Sequence, residues 1–229
     1  KSISICLLCS MKIGINGVLK QVRLFFILYL MLLCACLIIK VLFTREEIYF
    51  AINGHYSAAA DFLAPFITDI GNGWTAVTIA VILLLFSFRK ALIVASAFAV
   101  TSISAQIIKY IFDAPRPKLY FKDQLAKIHF VKAVEILSYN SFPSGHTVTA
   151  FMLAVLATYW SRNKALGPVF LLIAILVGYS RMYLSEHFFE DVVPGSVLGV
   201  ILTVIWLYWF DSRAFIQRPD WQKGLLNRS

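Results

Sequence analysis

Charged residues are scarce in this chain. They make up 14% of its 229 residues, whereas hydrophobic residues make up 60%, against about 25% and 45–50% in typical soluble domains. A soluble protein of this length exposes too much surface to keep so many apolar side chains away from water. The composition therefore excludes a soluble globule, a disordered chain, a collagen, a coiled coil and a disulfide-stabilised scaffold, and it predicts an integral membrane protein.

Metal-binding and disulfide patterns are also absent from the sequence. Cys6 and Cys9 form a Cys-x-x-Cys pair, but no second pair and no pair of histidines follows at the spacing of a zinc site. Cys34 and Cys36 lie in an apolar run and are interpreted as packing residues. No group of acidic residues has the pattern of a magnesium site, so we expect neither a metal nor a cofactor. Residues 1–10 lack the small residues of a signal-peptidase site, and no processed secretory leader is expected.

Long apolar runs are abundant. A bilayer core of about 30 Å needs roughly 20 mostly apolar residues per helix. Six segments meet this length if the shorter two extend into their flanks: Leu24–Phe43, Trp74–Phe88, Ala91–Phe112, Thr147–Trp160, Ala165–Tyr183 and Val192–Phe210. The pattern predicts an all-α, polytopic membrane protein, one six-transmembrane-helix bundle over residues 24–210 with terminal segments 1–23 and 211–229.

The basic residues predict which side of the membrane each helix end faces. They precede the first span, separate the second from the third and the fourth from the fifth, and follow the sixth: Lys12, Lys20, Arg23, Arg89, Lys90, Arg162, Lys164, Arg213, Arg218, Lys223 and Arg228. With six spans all of them fall on one side, which the positive-inside rule assigns to the cytoplasm together with both termini. Anionic lipid headgroups, rather than nucleic acid, then explain the net charge of +9.

The segment 109–143 breaks this charge rule. It is predicted to lie outside, yet it carries six basic residues: Lys109, Arg116, Lys118, Lys122, Lys127 and Lys132. Excess positive charge on the translocated side opposes the preferred topology, so we expect it to have a use, and binding an anion is the simplest. The last three lysines could instead contact outer-leaflet headgroups.

The first of three motifs lies at the predicted outer end of the third span. Lys109 is followed, after six residues, by Arg116 and Pro117. Prolines at 115 and 117 stop any continuation of the helix. Taken alone, this pattern is a weak sign of function, because a lysine at a helix end commonly snorkels and an Arg-Pro pair commonly caps a loop.

The second motif, Pro143-Ser144-Gly145-His146, opens the fourth span. Ser144 is expected to cap the helix, and the free N–H groups of the first turn are expected to face an oxyanion. Gly145 lacks a side chain that would block close approach, and His146 can exchange a proton near neutral pH. A helix start with an interfacial histidine is the alternative.

The third motif runs from Ser180 to Asp191 across the outer ends of the fifth and sixth spans. His187 and Asp191 are four residues apart, so the carboxylate is expected to reach one imidazole nitrogen and leave the other free as a nucleophile. Asp191 could also be an acid that simply favours the helix N-terminus. The arginine at 181 in the same short segment argues against that simpler interpretation.

Together the three motifs resemble the signatures K-x6-RP, PSGH and SR-x5-H-x3-D of the type 2 phosphatidic acid phosphatase (PAP2) superfamily. Every signature position is present: Lys109, Arg116, Pro117, Pro143, Ser144, Gly145, His146, Ser180, Arg181, His187 and Asp191. Three motifs in register are specific where one alone would be weak. The resemblance spans residues 109–191, and the six-helix layout extends it over most of the chain.

The resemblance and the residue chemistry imply the same mechanism. Lys109, Arg116 and Arg181, with backbone donors at Ser144 and Gly145, are expected to bind a phosphate. His187 is expected to attack phosphorus and form a phosphohistidine while Asp191 holds its ring. His146 is expected to protonate the leaving oxygen and then to activate water. The cationic residues compensate the phosphate charge, so no metal is required.

The expected substrate is a lipid phosphate or diphosphate at the periplasmic face of a bacterial inner membrane. Within the resembling family this means undecaprenyl pyrophosphate, phosphatidylglycerol phosphate, phosphatidic acid or a lipid A phosphate. The expected partners are the membrane and its lipid, without nucleic acid or an obligate protein partner. Alternatives are a lipid phosphotransferase that uses the same phosphohistidine, a vanadium haloperoxidase, which the composition disfavours, and a non-enzymatic membrane protein.

Overall fold

The computed structural model describes residues 14–132 and 134–227. In this part of the chain the secondary structure is helical, which confirms the all-α class. The α-helices are α1 (Ile15–Gln21), α2 (Arg23–Leu42), α3 (Arg45–Asn53), α4 (Ala58–Asp69), α5 (Gly73–Phe86), α6 (Phe88–Phe112), α7 (Pro117–Tyr120), α8 (Gly145–Trp160), α9 (Gly167–Tyr183), α10 (Phe189–Phe210) and α11 (Pro219–Gln222). Short 3₁₀ helices lie at Lys122–Lys127, Lys164–Leu166 and Leu225–Asn227. The cysteine pair at 6 and 9 and the segment 1–10 lie outside the described residues.

Local sequence explains where several helices begin and end. Thr44 starts α3 with a capping box, because its hydroxyl accepts from the Glu47 N–H while the Glu47 carboxylate accepts from Thr44. Ser87 ends α5 and starts α6, and its hydroxyl accepts from the Lys90 N–H. Asp113 ends α6 in the left-handed region at φ 37°, where a short polar side chain is tolerated. This turn starts the segment that carries the arginine of the first motif.

The six predicted spans correspond to α2, α5, α6, α8, α9 and α10. Four helical stretches, which contain α2, α6, α9 and α10, are long and apolar enough to cross a membrane by length and composition. The pair α4 and α5 reaches that standard only together, with a bend of 51° between them. The sixteen residues of α8 lie at the centre, packed against α6, α9 and α10. A polytopic membrane protein is thus supported, and the count of six spans stays a prediction.

Small residues let α10 approach α8 closely. A Cβ added to Gly199 would lie 2.5 Å from the Val148 carbonyl oxygen, and one added to Gly195 would lie 2.9 Å from the Ser144 carbonyl oxygen. Lipid tails are as apolar as leucine, so close backbone contact of this kind stabilises helix pairs in a bilayer where burial alone does not. It also brings the start of α8 against the start of α10.

The segment 44–73 joins the first two predicted spans, and the six-span layout with its acidic composition predicts an outer loop there. In the structure it contains α3 and α4. Helix α3 contacts the loop between α9 and α10 through two side chains: the Tyr49 hydroxyl lies 2.9 Å from the Ser185 Oγ, and the Asn53 amide donates to the same oxygen at 3.0 Å. Tyr49 also packs with Phe121 and Phe188 in a buried aromatic cluster. This cluster holds the residue that follows His187.

Candidate active site

Residues of all three motifs meet at one end of the helix bundle. Lys109 lies in the last turn of α6, Arg181 in the last turn of α9 and Asp191 in the first turn of α10. The Ser144 N–H, at the start of α8, donates to the Asp191 carbonyl oxygen at 3.0 Å. The loop before Ser144 lies along the segment after α6, because the Arg116 N–H donates to the Ser138 carbonyl at 2.9 Å. Residues as far apart in sequence as Lys109 and Asp191 are thereby placed in one site.

His187 and Asp191 are linked through Ser141. The Asp191 Oδ2 accepts from the Ser141 hydroxyl at 2.5 Å and from the Phe188 N–H at 2.8 Å. The His187 Nδ1 lies 3.3 Å from the Ser141 Oγ and 3.5 Å from the Asp191 Oδ2. Because the serine proton is directed to the carboxylate, its oxygen accepts from a protonated Nδ1. This tautomer leaves the lone pair on Nε2, the nitrogen that can act as nucleophile.

His187 is held as a neutral imidazole. Its ring is 2% exposed, and burial lowers its pKa well below the usual value, helped by the positive charges of Arg116, Arg181 and Lys109. Because these three cations act on the pKa of His187, they lie near its ring. An imidazole attacks phosphorus through a nitrogen lone pair that the protonated ring lacks, and this environment keeps the His187 ring unprotonated at neutral pH.

The two motif arginines converge on one carboxylate. Arg116 Nη1 and Arg181 Nη2 both face the Oε2 of Glu186, Arg181 at 3.3 Å and Arg116 through a short ion pair. Arg116 is also fixed by a bond from its Nε to the Tyr139 carbonyl at 2.9 Å. Arg181 is 7% exposed and Arg116 is 6% exposed. The site therefore concentrates two buried guanidinium groups around one anionic oxygen.

Arg181 retains an unused donor. Its Nη1 donates to the Thr68 hydroxyl on α4 at 2.9 Å, whereas its Nε is buried and has no hydrogen-bond partner among residues 14–132 and 134–227. A buried charged donor without a partner costs free energy, since it has left water without replacing the lost bonds. An anionic ligand with several oxygens would satisfy it. Lys109 supplies a third cation nearby, with its Nζ donating to the Asn140 carbonyl at 2.5 Å.

The start of α8 differs in part from expectation. Helix α8 begins at Gly145 as predicted, but the Ser144 side chain makes no capping bond and its Oγ instead accepts from the Thr147 hydroxyl at 2.9 Å. The Ser144 N–H, expected to be free, donates to the Asp191 carbonyl in this structure, and the phosphate-binding role expected of Ser144 stays a prediction. A Cβ on Gly145 would meet nothing within 4 Å, so this position borders open space. His146 follows it and is half-buried.

Sequence reasoning missed three contributors to the site: Ser141, Glu186 and Thr68. Glu186 carried a usable signal, because a carboxylate between Arg181 and His187 at a membrane helix end is rare without a partner. Ser141 and Thr68 carried none, since serine and threonine are common in such loops. Within residues 14–132 and 134–227, no three His, Cys, Asp or Glu side chains are grouped as a metal ion would require.

Comparisons with known proteins agree with this geometry. A family model described as "PAP2 superfamily" matches residues 90–215. The undecaprenyl-diphosphatase BcrC of Bacillus subtilis is 28% identical over 174 residues, which cover 72% of this chain and 83% of that protein. The lipid A 4'-phosphatase of Porphyromonas gingivalis is 26% identical over 174 residues, which cover 71% of this chain and 71% of that protein. The crystal structure of a PAP2-type phosphatidylglycerolphosphate phosphatase from Bacillus subtilis superposes with a TM-score of 0.59 at 25% identity, covering 81% of this chain and 94% of that one.

Proposed function

This chain belongs to the PAP2 superfamily, and we propose that it hydrolyses the phosphate or diphosphate of a membrane lipid without a metal. The observation that carries the proposal is the convergence of Arg116 and Arg181 on one anionic oxygen beside a neutral, buried His187. Guanidinium groups hold the equatorial oxygens of a phosphoryl group well because each planar fork can bind two oxygens. The unpartnered Nε of Arg181 is a further donor for them.

In the first chemical step the His187 Nε2 attacks phosphorus in line with the leaving oxygen. The N–P bond forms as the P–O bond breaks, and His146 in its imidazolium form gives a proton to the departing lipid oxygen or phosphate oxygen. Burial and the neighbouring cations lower the pKa of His146 to about 3, so the negative charge of the bound phosphate has to stabilise this imidazolium. The phosphorylated imidazole carries positive charge, which the Asp191 carboxylate stabilises directly and through Ser141. The cations compensate the charge on the three equatorial oxygens.

In the second step water replaces the histidine. His146, now deprotonated, takes a proton from a water molecule, and the resulting hydroxide attacks phosphorus. The N–P bond breaks, inorganic phosphate leaves and the neutral imidazole is restored. Attack by a second lipid in place of water would make the same intermediate a phosphotransferase.

An apolar groove supports a substrate with hydrocarbon chains. It has a volume of about 300 Å³ and lies between α6 and α10, lined by residues that include Ile108, Pro143, Pro194, Leu198 and Ile201. Ile108 precedes Lys109 and Pro143 precedes Ser144, so one end of the groove lies next to the phosphate site. Among lipid phosphates, undecaprenyl pyrophosphate, phosphatidylglycerol phosphate, phosphatidic acid and a lipid A phosphate fit this description, and relatives are named for three of these four classes.

The proposed location is a bacterial inner membrane, with both termini in the cytoplasm and the site at the periplasmic face. The cationic clusters that flank the predicted spans support this orientation. The site lies at the end of the bundle opposite those clusters, where Lys109 and Arg116 would meet a lipid headgroup.

Phosphate release from the four lipids by purified protein tests the function. We expect turnover of at least one lipid that persists in EDTA and is lost in His187→Ala. His55→Ala is the matched control, because His55 is exposed and bonds only its own helix at the Ala51 carbonyl. Loss of activity in EDTA, or full activity of His187→Ala, would refute the mechanism. Suppression of phosphate release by an added acceptor lipid would identify a transferase.

A further inference from the structure

Glu186 occupies the point at which the two phosphate-binding arginines meet. One oxygen of its carboxylate faces both guanidinium groups. The backbone at Glu186 is fixed as well, because its N–H donates to the Arg181 carbonyl at 3.0 Å and its carbonyl accepts from Arg116 Nη1 at 3.3 Å. The side chain alone is thus free to leave this position without disturbing the loop.

The arginines do not need Glu186 to hold them in place. Arg116 is anchored by its Nε to the Tyr139 carbonyl, and Arg181 is anchored by its Nη1 to the Thr68 hydroxyl. The nitrogens that face Glu186 are Arg116 Nη1 and Arg181 Nη2, and both are directed to its Oε2. That point is where a phosphoryl oxygen shared by two arginines would lie.

The burial of the site also indicates that a phosphoryl group would take the position of the Glu186 carboxylate. His187, Arg116 and Arg181 are all at most 7% exposed, and Glu186 is 4% exposed. A phosphoryl group reaches both guanidinium groups only if something between them moves. The carboxylate of Glu186 is the group that stands there, and its negative charge repels a phosphate dianion at short range.

We propose that Glu186 is an internal competitor of the phosphate ligand, whose carboxylate occupies an oxyanion position in the free enzyme and leaves it when a phosphoryl group binds. It compensates the buried cations while the site is empty, and it weakens binding of inorganic phosphate so that the product departs readily. This proposal rests on the proposed function, because it assumes that the same arginines bind the substrate phosphate.

Equilibrium binding of inorganic phosphate and of orthovanadate to the purified protein tests the proposal. Glu186→Gln removes the charge and keeps the shape, and we expect the Kd of both anions to fall by about tenfold or more. The Ki of phosphate as a product inhibitor should fall in parallel. Glu186→Asp keeps the charge but shortens the side chain by one methylene, and it should bind phosphate more tightly than the wild type and less tightly than Glu186→Gln.

Glu190→Gln is the matched control, because Glu190 lies four residues further on and pairs with Lys40 and Arg45 instead. Its Kd for phosphate should equal that of the wild type. An unchanged or higher Kd in both Glu186 variants, or an equal tightening in Glu190→Gln, would overturn the proposal. Lipid phosphate turnover by the wild type is measured separately, so that failure of the competitor role and failure of the phosphatase function are told apart.

Discussion

Replacement of Ser141 by alanine should slow the chemical step and leave substrate binding nearly unchanged. The Ser141 hydroxyl is buried, donates to the Asp191 carboxylate at 2.5 Å and lies 3.3 Å from the His187 Nδ1. Without it, the imidazole faces the carboxylate only across 3.5 Å, longer than a good hydrogen bond. In the described part of the chain the Ser141 hydroxyl has no hydrogen bond to Lys109, Arg116 or Arg181, so its loss should act on kcat.

The magnitude follows from the type of bond that is lost. A hydrogen bond to a charged group contributes about 1.5–3 kcal/mol, and each 1.36 kcal/mol of transition-state stabilisation changes the rate tenfold. The full range thus corresponds to a fall in kcat of roughly 10- to 150-fold. Because the Phe188 N–H still donates to the same carboxylate oxygen, we expect the lower part of this range, a fall in kcat of about 10- to 30-fold with KM changed less than about twofold.

Steady-state turnover of a lipid phosphate in detergent micelles measures both parameters. Ser141→Cys, which has a similar size and a weaker donor, should recover part of the lost kcat. Ser161→Ala is the control, since Ser161 is the residue after α8 at its other end and its hydroxyl bonds only the Asn163 carbonyl. A kcat of Ser141→Ala within twofold of the wild type, with an unchanged melting temperature, would refute the proposed link between Asp191 and His187.

Three further predictions concern the substrate, the fold and the pH dependence. Leu198→Trp should fill the groove between α6 and α10 and lower kcat/KM about tenfold for a long-chain lipid phosphate but not for a short-chain one. Val81→Trp, in a separate apolar groove between α5 and α6, should leave kcat/KM unchanged for both substrates. Gly199→Ala should lower the free energy of unfolding by about 1–3 kcal/mol, measured by melting in detergent, because the new Cβ would lie 2.5 Å from the Val148 carbonyl oxygen; an unchanged melting temperature would contradict the close packing. The pKa of His187 is lower in the folded protein than in the unfolded chain, so on acidification the unfolded chain takes up this proton at a higher pH. The free energy of unfolding should therefore fall as the pH drops below about 6.5, by up to about 1.4 kcal/mol per pH unit. A His187→Asn variant should lose this part of the pH dependence.

Much of the fold follows from local pattern. Apolar runs of bilayer length predict α2, α6, α9 and α10 within a few residues, because a helix in lipid has to satisfy its own backbone bonds. The shorter α8 was also located, but its central burial was not, since a fully apolar segment looks the same whether it faces lipid or protein. Helices α3 and α4 were missed, because their polar and acidic residues are typical of an outer loop.

The motif residues of the site could be found from sequence, since their types and spacing are specific when taken together. Lys109, Arg116, Arg181, His187 and Asp191 were all named on that basis, and the structure brings them to one end of the bundle. The Ser144 N–H is an exception to the expected free donors, because it donates to the Asp191 carbonyl. A helix start predicts free N–H groups, but whether another segment already accepts from one of them depends on packing.

The sequence by itself determined that this is a helical membrane protein, and it singled out the charged residues of the three motifs, because composition and motif spacing are properties of the chain alone. The tertiary structure decided which of those residues touch. It placed Ser141 between His187 and Asp191, Glu186 between Arg116 and Arg181, and the Ser144 N–H on the Asp191 carbonyl. These contacts join residues 46 to 70 positions apart in most cases, and they depend on how closely α8 and α10 approach, which no local pattern encodes.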